Sequence, residues 1–596
     1  MTKLVFAVAH YAALAVFVAS CWGFGRAVLA RFGAPARSDV WLEAAMAVTT
    51  GIGIFICVFQ AFGIVGWFTS AVVWAMVALG VGLAIAQLPA WLRQVRTREV
   101  PPSLSWLEKM GMIALALLGV MTLAAPLAPP AVFDELMYHL PYAREVAQSG
   151  RLGIYEWLRY PWFPYNYNLL YAGALMVGNG NDVFPHLLNA LAGWTSVLIV
   201  YRLGVMHINR VVACAGAAIW LGMGDYTGAL IDTSVALLVL AACAALWWWR
   251  ESPPPQGARW LGLAAFFLGI AVGSKYQALT VLPLVGVFVL WHERRPRVLG
   301  SALLCFLIPC IYWYARNAIM TGDPFNPIGA RVFGFTNWNA ADYRQQLQDV
   351  RDHASLPTPL IWAVLAVPFS AHWKRSAALR AATVFCIYSL FVWTLTSRYP
   401  RYLVPAFPML ALTAAVGWQT VFGGIAAKLR RTMPERDRSG GLDRAGRWLA
   451  ILLLVAGVGI VFHKTSERVS MIATTPEQRE AFLRKNVPGY AVMNYLREHA
   501  TGRVYQIALS EATYYGPSPV WGDALGPWRY SDFIIFPPAD YARKLAQQGF
   551  EAIAVSLPTA SYLEAQPGFR EQFALIYEKD NAKAYRIRQY RNDRAP

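Results

Sequence analysis

The feature that most constrains this chain is a succession of about fourteen apolar runs, each near twenty residues. They begin near residues 4, 41, 68, 109, 181, 209, 230, 258, 276, 297, 358, 377, 402 and 447. A run of that length, wound as a helix, matches the hydrocarbon thickness of a bilayer. Winding as a helix also satisfies every backbone polar group inside the segment, which lipid demands. Of the 596 residues 57% are hydrophobic and only 14% are charged, where soluble domains carry about a quarter charged. No single soluble core hides that much apolar surface, and the expected class is a polytopic α-helical membrane protein.

The formal charge of +18 does not point to nucleic acid, because the cations lie in short loops between apolar runs. Arg26, Arg31 and Arg37 separate the first two runs. Arg93, Arg96, Arg98 and Lys109 separate the third and fourth, and Arg294, Arg295 and Arg297 follow the ninth. Lys374, Arg375 and Arg380 follow the eleventh, and a cluster from Lys428 to Arg447 precedes the last. All fall on one side if the N-terminus is outside, which is the positive-inside pattern, with anionic membrane lipids as neighbours. The loop with Asp134 and the C-terminal tail then face the extracytoplasmic side, and an integral protein of a bacterial inner membrane is expected. The seven cysteines lie in apolar segments with no CxxC spacing and read as small buried hydrophobes.

Three parts follow from this order. Residues 1–108 are accessory transmembrane helices. Residues 109–463 form a transmembrane core with outer segments 131–181 and 316–357. Residues 464–596 form a soluble extracytoplasmic α/β domain, a common domain size. In that tail VYQIALS and EAIAVSL read as strands, ADYARKLAQQGF as a helix, and FALIYEKDNAKAYRIRQY as a hairpin turning near Asp580–Asn581. The aromatic, Pro-punctuated stretch RYPWFPYNYNLLYAGALMVG is too interrupted for a span and reads as helices lying in the membrane interface.

The chemistry concentrates on the outer side. AVFDELMYHLP places Asp134 and Glu135 directly after a span, with Tyr138 and His139 one turn on. A carboxylate at the mouth of a membrane cleft can reach a substrate hydroxyl as a general base. Asp134 and Glu135 are the candidate catalytic residues, with Tyr138 and His139 as candidate substrate contacts lining the same cleft; on a helix Glu135 points away from Asp134, so the two need not share a role. Four cations run against the positive-inside bias: Lys275 in GSKYQAL, Arg316 in YWYARNAIMTGDPFNP, and Arg398 and Arg401 in SRYPRYLVPAFP. Each singly fits a side chain snorkelling to headgroups. Together, on the side of Asp134, they suggest a site for a lipid phosphate or pyrophosphate. Asp232 begins a span at its outer end, as a helix cap or a contact for a substrate hydroxyl. His186 and Asn189 read as packing residues.

In this order the motifs resemble the GT-C superfamily of integral membrane glycosyltransferases, especially the protein O-mannosyltransferases and lipid A aminoarabinose transferases. FDELMYHLP is similar to the outer loop that carries the catalytic Asp of that superfamily. The resemblance covers roughly 109–425 and runs on through RYPWFPYNYNLLYAGALMVG, GIAVGSKYQAL, ARNAIMTGDPFNPIG and SRYPRYLVPAFPML. It implies a GT-C-like core with Asp134 as catalytic base and with Lys275, Arg316, Arg398 and Arg401 as contacts to donor phosphate. It further implies a sugar donor on polyprenyl phosphate, a lipid, glycan or protein acceptor, and inverting displacement. No metal-ligand cluster stands out. Some members use a divalent cation, which leaves Asp134 and Glu135 open as ligands. A lipid phosphotransferase, and then a transporter, are the competing readings. Trp521, Trp528 and Tyr530 in VWGDALGPWRYSD are sugar-stacking candidates or the core of the small domain.

Overall fold

The computed structural model describes residues 2–33, 39–97, 103–254, 256–432 and 441–588. Arg37, Arg98, Arg436 and Arg438, used above to choose sides, lie outside the described residues. All fourteen apolar runs are helical. Among the described residues ten form helices long and apolar enough to cross a membrane. The other four are shorter: Arg210–Met223, Gln256–Val272, Tyr276–His292 and Pro359–Phe369. Pro359–Phe369 is a 3-10 helix of 11 residues, and the Tyr276–His292 segment starts with a 3-10 stretch before Pro283.

The first three helices pack by small residues. A Cβ added at Gly25 would strike the Ala47 carbonyl, and one added at Gly51 would strike the Cys21 carbonyl. Only glycine lets helices Lys3–Leu29 and Val40–Val65 approach so closely. Gly51→Ala is therefore expected to destabilise the protein in detergent by about 1–3 kcal/mol. Gly82, with nothing within 4 Å of an added Cβ, is the control. Thermal unfolding should drop for Gly51→Ala and hold for Gly82→Ala.

The aromatic stretch departs from expectation. Residues 155–167 form turns that lead into a helix at Asn168–Val177. Leu169, Tyr171 and Ala172 on that helix are fully buried, so it packs inside the protein rather than lying in the interface. Tyr142 and Tyr165 stack 3.8 Å apart, and the Asn166 carboxamide donates to the Pro309 carbonyl at 2.7 Å. These contacts give the rings protein partners in place of headgroups.

The tail forms a five-stranded sheet, β1 (Arg503–Ile507), β2 (Val520–Trp521), β3 (Phe550–Ser556), β4 (Phe573–Lys579) and β5 (Ala582–Ile587), in the order β2-β1-β3-β5-β4. β1 is parallel to β2 and β3, while β5 is antiparallel to β3 and β4. β3 is buried over six successive residues, which is the pattern of a strand covered on both faces. The hairpin turns at Asp580, whose φ is +54°. The domain lies against the segments of the core that follow Pro129. The Tyr515 hydroxyl donates to the Pro130 carbonyl at 2.7 Å, and Arg144 donates to the Tyr514 carbonyl at 2.6 Å.

Candidate active site

The acidic pair is split by its local fold. A proline pair at Pro129–Pro130 follows the helix Trp106–Leu123, and the chain restarts as a helix at Phe133. Residues Glu135–His139 then form one π turn, a feature that recurs at functional sites because it re-aims side chains. Glu135 turns inward and is fully buried. It accepts from the backbone N–H groups of Ala131 and Val132, both at 2.7 Å, and of Ala229 at 2.6 Å. His186 Nε2 lies 2.9 Å from Oε2, the oxygen that also accepts from Ala229, while Ala131 and Val132 donate to Oε1. Every lone pair is thus engaged in tying the start of its own helix to two distant segments. The expected catalytic role of Glu135 is not supported by this arrangement; its contacts are structural.

Asp134 turns outward into a cavity of about 880 Å³, also lined by Tyr138, Tyr160, Phe163, Lys275, Trp338, Gln346, Asp349, Trp393, Tyr399, Arg401 and Tyr402. That is the size of a small-molecule site, with apolar walls and a few polar groups. Arg401 Nη1 ion-pairs with Asp134 Oδ2. Arg401 also donates to Asp232 Oδ2 through Nη2 at 2.9 Å and Nε at 3.1 Å. Lys275 Nζ lies 2.6 Å from Asp232 Oδ1, and the Tyr138 hydroxyl donates to Asp134 Oδ2 at 3.3 Å. Asp232 is the first residue of its helix, where the helix dipole favours a carboxylate. Arg401 is held by the 3-10 segment Pro400–Ala406, and Lys275 sits in an extended residue before another.

Asp134, Asp232, Lys275 and Arg401 therefore form one charge-balanced cluster. Burial raises the affinity of Asp134 for a proton. The positive neighbours Arg401 and Lys275 outweigh it and hold the carboxyl below its ordinary range. Burial likewise pushes the Lys275 ammonium below its usual value against the pull of Asp232. His139 is buried and lies against Tyr138, with ring centroids 4.1 Å apart. Its Nδ1 is 3.0 Å from the Asn168 carboxamide nitrogen, and burial brings the imidazole down to about 3, so the ring is neutral at physiological pH.

The other two cations do not join. Arg316 is buried among Trp162, Tyr312 and Trp313, its guanidinium 5.1–6.0 Å from their ring centroids. It donates to the Trp162 carbonyl at 3.0 Å and the Asn317 carboxamide at 2.9 Å, so it braces the turn next to Phe163. Arg398 is exposed, has φ +53°, and donates back to the Thr394 carbonyl of its own helix. The expected ring of four cations is thus a pair. Sequence reading also missed the aromatic and amide wall from Trp338 to Asp349; its helical spacing in NAADYRQQLQDV was the available signal.

A divalent cation does not fit these donors. Both cluster carboxylates are neutralised by Lys275 and Arg401, the Glu135 oxygens are taken by N–H groups, and no three His, Cys, Asp or Glu side chains converge among the described residues.

Two family models match the chain. One, dolichyl-phosphate-mannose-protein mannosyltransferase, matches residues 164–313; the other, described as SF2091/S2213, matches 478–586 in the tail. Uncharacterized protein SF2092/S2214 of Shigella flexneri is 29% identical over 127 residues, covering 19% of this chain and 68% of that protein. Among solved structures, ArnT from Cupriavidus metallidurans in the apo state aligns with a TM-score of 0.49 at 14% identity, over 80% of this chain and 97% of its own. Its undecaprenyl-phosphate-bound form aligns at 0.48, with the same identity and coverage. The mannosyltransferase match lies within the transmembrane core, where it includes Asp232 and Lys275 and begins after the FDELMYHLP motif.

Proposed function

We propose that the chain transfers a sugar from a polyprenyl-phosphate donor to a hydroxyl of an acceptor on the extracytoplasmic side, by single displacement with Asp134 as base. The observation that carries this reading is the cluster in the cavity: a carboxylate directly paired with Arg401, which Asp232 ties to Lys275. The mannosyltransferase family description, with its dolichyl-phosphate-linked sugar, supports a donor of this class.

In the resting cluster two cations balance two carboxylates. A donor phosphodiester brings a further negative charge and competes for Arg401 and Lys275 through charge-assisted hydrogen bonds. As Arg401 turns to the phosphate, Asp134 loses its ion pair and its affinity for a proton rises, which is the direction a base needs. Asp134 then takes the acceptor hydroxyl proton. The acceptor oxygen bonds to the anomeric carbon as the bond from that carbon to the phosphate oxygen breaks. The electron pair leaves on the lipid phosphate, where Lys275 and Arg401 stabilise it. Base and leaving group lie on opposite faces of the ring, so the anomeric configuration inverts.

The test is transfer by purified protein from a panel of radiolabelled polyprenyl-phosphate sugars. Transfer from at least one donor, absent in Asp134→Asn, is the expected result; equal transfer by the variant contradicts the reading. Phosphate recognition is tested separately with bare undecaprenyl phosphate. Lys275→Gln is expected to weaken its binding about 10–100-fold, the worth of one hydrogen bond to a charged group. Arg398→Gln, whose side chain stays on its own helix, should bind within two-fold of the wild type.

A further inference from the structure

The loop Asp523–Arg529 of the tail, within the VWGDALGPWRYSD motif, touches both outer segments that wall the cavity. At one end Asp523 Oδ1 accepts from Arg159 Nε at 2.9 Å and Nη2 at 2.5 Å. Arg159 directly precedes Tyr160, a cavity wall. At the other end Arg529 Nη2 lies 2.8 Å from Asp342 Oδ2, and both side chains are nearly buried, at 12% and 2% exposure. Asp342 belongs to the helix Ala340–Asp352 and closes its capping box with Asn339. That helix points Gln346 and Asp349 into the cavity.

The loop itself is tight. Asp523 and Arg529 pair as an isolated bridge, the Tyr530 N–H donates to the Asp523 carbonyl at 2.9 Å, and Gly522 and Gly526 have φ of +100° and +87°. Gly522 also lies where a Cβ would strike the Gln506 carbonyl of β1, which seats the loop on the sheet. The two walls meet directly: the Tyr160 hydroxyl donates to Gln346 Oε1 at 2.9 Å. Trp521 and Trp528, the sugar-stacking candidates, are turned elsewhere. Their rings lie 4.4 Å apart and face Arg503, which also covers Phe550.

We infer that Asp523 and Arg529 are positioning residues, through which the C-terminal domain holds the Tyr160 turn and the Gln346–Asp349 helix face in register around the sugar. The inference rests on the proposed transfer reaction for its functional consequence, while its structural part stands apart from it. Breaking either pair leaves a buried charge without its partner, and the wall it anchors opens. The lipid-phosphate cations Lys275 and Arg401 make no contact with this loop, so phosphate binding stays intact while the sugar loses its alignment.

The experiment is amide hydrogen exchange on the full-length protein in detergent, comparing wild type, Arg529→Gln, Asp342→Asn and the swap Arg529→Asp/Asp342→Arg. Exchange in 340–352 is expected to quicken at least ten-fold in both single variants and to recover only in part in the swap, which restores the ion pair but removes the acceptor for the Asn339 N–H. Asp342→Asn changes no residue of the tail, leaves Arg529 its second carboxylate, Asp532 at 3.6 Å, and keeps an acceptor oxygen for the Asn339 N–H, so it decides the matter if Arg529→Gln unfolds the C-terminal domain. Binding of bare undecaprenyl phosphate should remain within two-fold in Asp342→Asn, while kcat/KM, with whichever panel donor is active, falls at least ten-fold. Wild-type exchange over 340–352 in Asp342→Asn overturns the inference, as does a loss of undecaprenyl phosphate binding that parallels the loss of transfer. An inactive wild type with quickened exchange in both single variants would count against the transfer reaction and leave the positioning role standing.

Discussion

Asp134→Asn is expected to lower kcat for sugar transfer by about 10²–10⁴-fold, the usual worth of a positioned general base, while the protein still folds. The side chain is only partly buried, 18% exposed, and the amide keeps an acceptor oxygen for Tyr138 and Arg401. Arg401 stays anchored by Asp232 through two hydrogen bonds, so its guanidinium keeps a carboxylate partner. Bare undecaprenyl phosphate should bind at least as tightly, because one negative charge has gone. Acid should act on the wild type in a defined way. Burial alone would raise the Asp134 carboxyl, but the positive groups led by Arg401 hold it below its ordinary range in the free protein. The ionised base therefore persists as pH falls and is lost only below about pH 4, the ordinary Asp value. The acid limb of kcat/KM, which reports the free enzyme, should lie there, with circular dichroism checking that the fold survives. A limb near pH 6 contradicts Asp134 as the base in this setting.

Glu135→Ala is expected to fail differently, by loss of the folded protein. The carboxylate is fully buried and holds three backbone N–H groups and His186. Truncation leaves those buried donors unpaired, each at about 1–3 kcal/mol, with no water to replace the acceptor. A total near 3–5 kcal/mol, the usual cost of removing one partner of a buried ionic contact, is a large fraction of a typical stability. Yield in detergent and the thermal unfolding midpoint should both collapse, and Glu135→Gln should recover only part of the loss, because its NH₂ turns a donor toward N–H groups. Wild-type stability in Glu135→Ala, with transfer abolished, would return Glu135 to the chemistry. The adjacent carboxylates thus have separable signatures: one variant is folded and inactive, the other unfolded.

The spans were legible because each is a local property, twenty apolar residues with cations at one end. Their lengths were not, because Pro283 and the 3-10 winding of Pro359–Phe369 shorten helices without changing hydropathy. In the tail, β1, β3 and the β4–β5 hairpin could be read from short β-rich runs and turn residues. The two-residue strand β2 could not, since it exists only by pairing with β1. At the site, Asp134, Asp232, Lys275 and Arg401 are all readable from residue type and position at the ends of apolar runs, and the fold brings the four together. Arg316 carries the same charge near the end of an apolar helix, yet its position on the helix Pro296–Thr321 aims it into Trp162, Tyr312 and Trp313. A helix turns about 100° per residue, so position near a helix end is readable where direction within the bundle is not. The inward turn of Glu135 was legible in part, since neighbours on a helix diverge, but its partners Ala229 and His186 lie far along the chain.

Single displacement at the anomeric carbon, as proposed, makes the lipid phosphate the leaving group. The most direct measurement is a single-turnover reaction with a doubly labelled polyprenyl-phosphate sugar, in which the anomeric configuration of the product and the fate of the phosphate are both read. An inverted linkage, with one polyprenyl phosphate released per sugar transferred, is the predicted result. Retained configuration, or phosphate carried to the acceptor with the sugar, would contradict it.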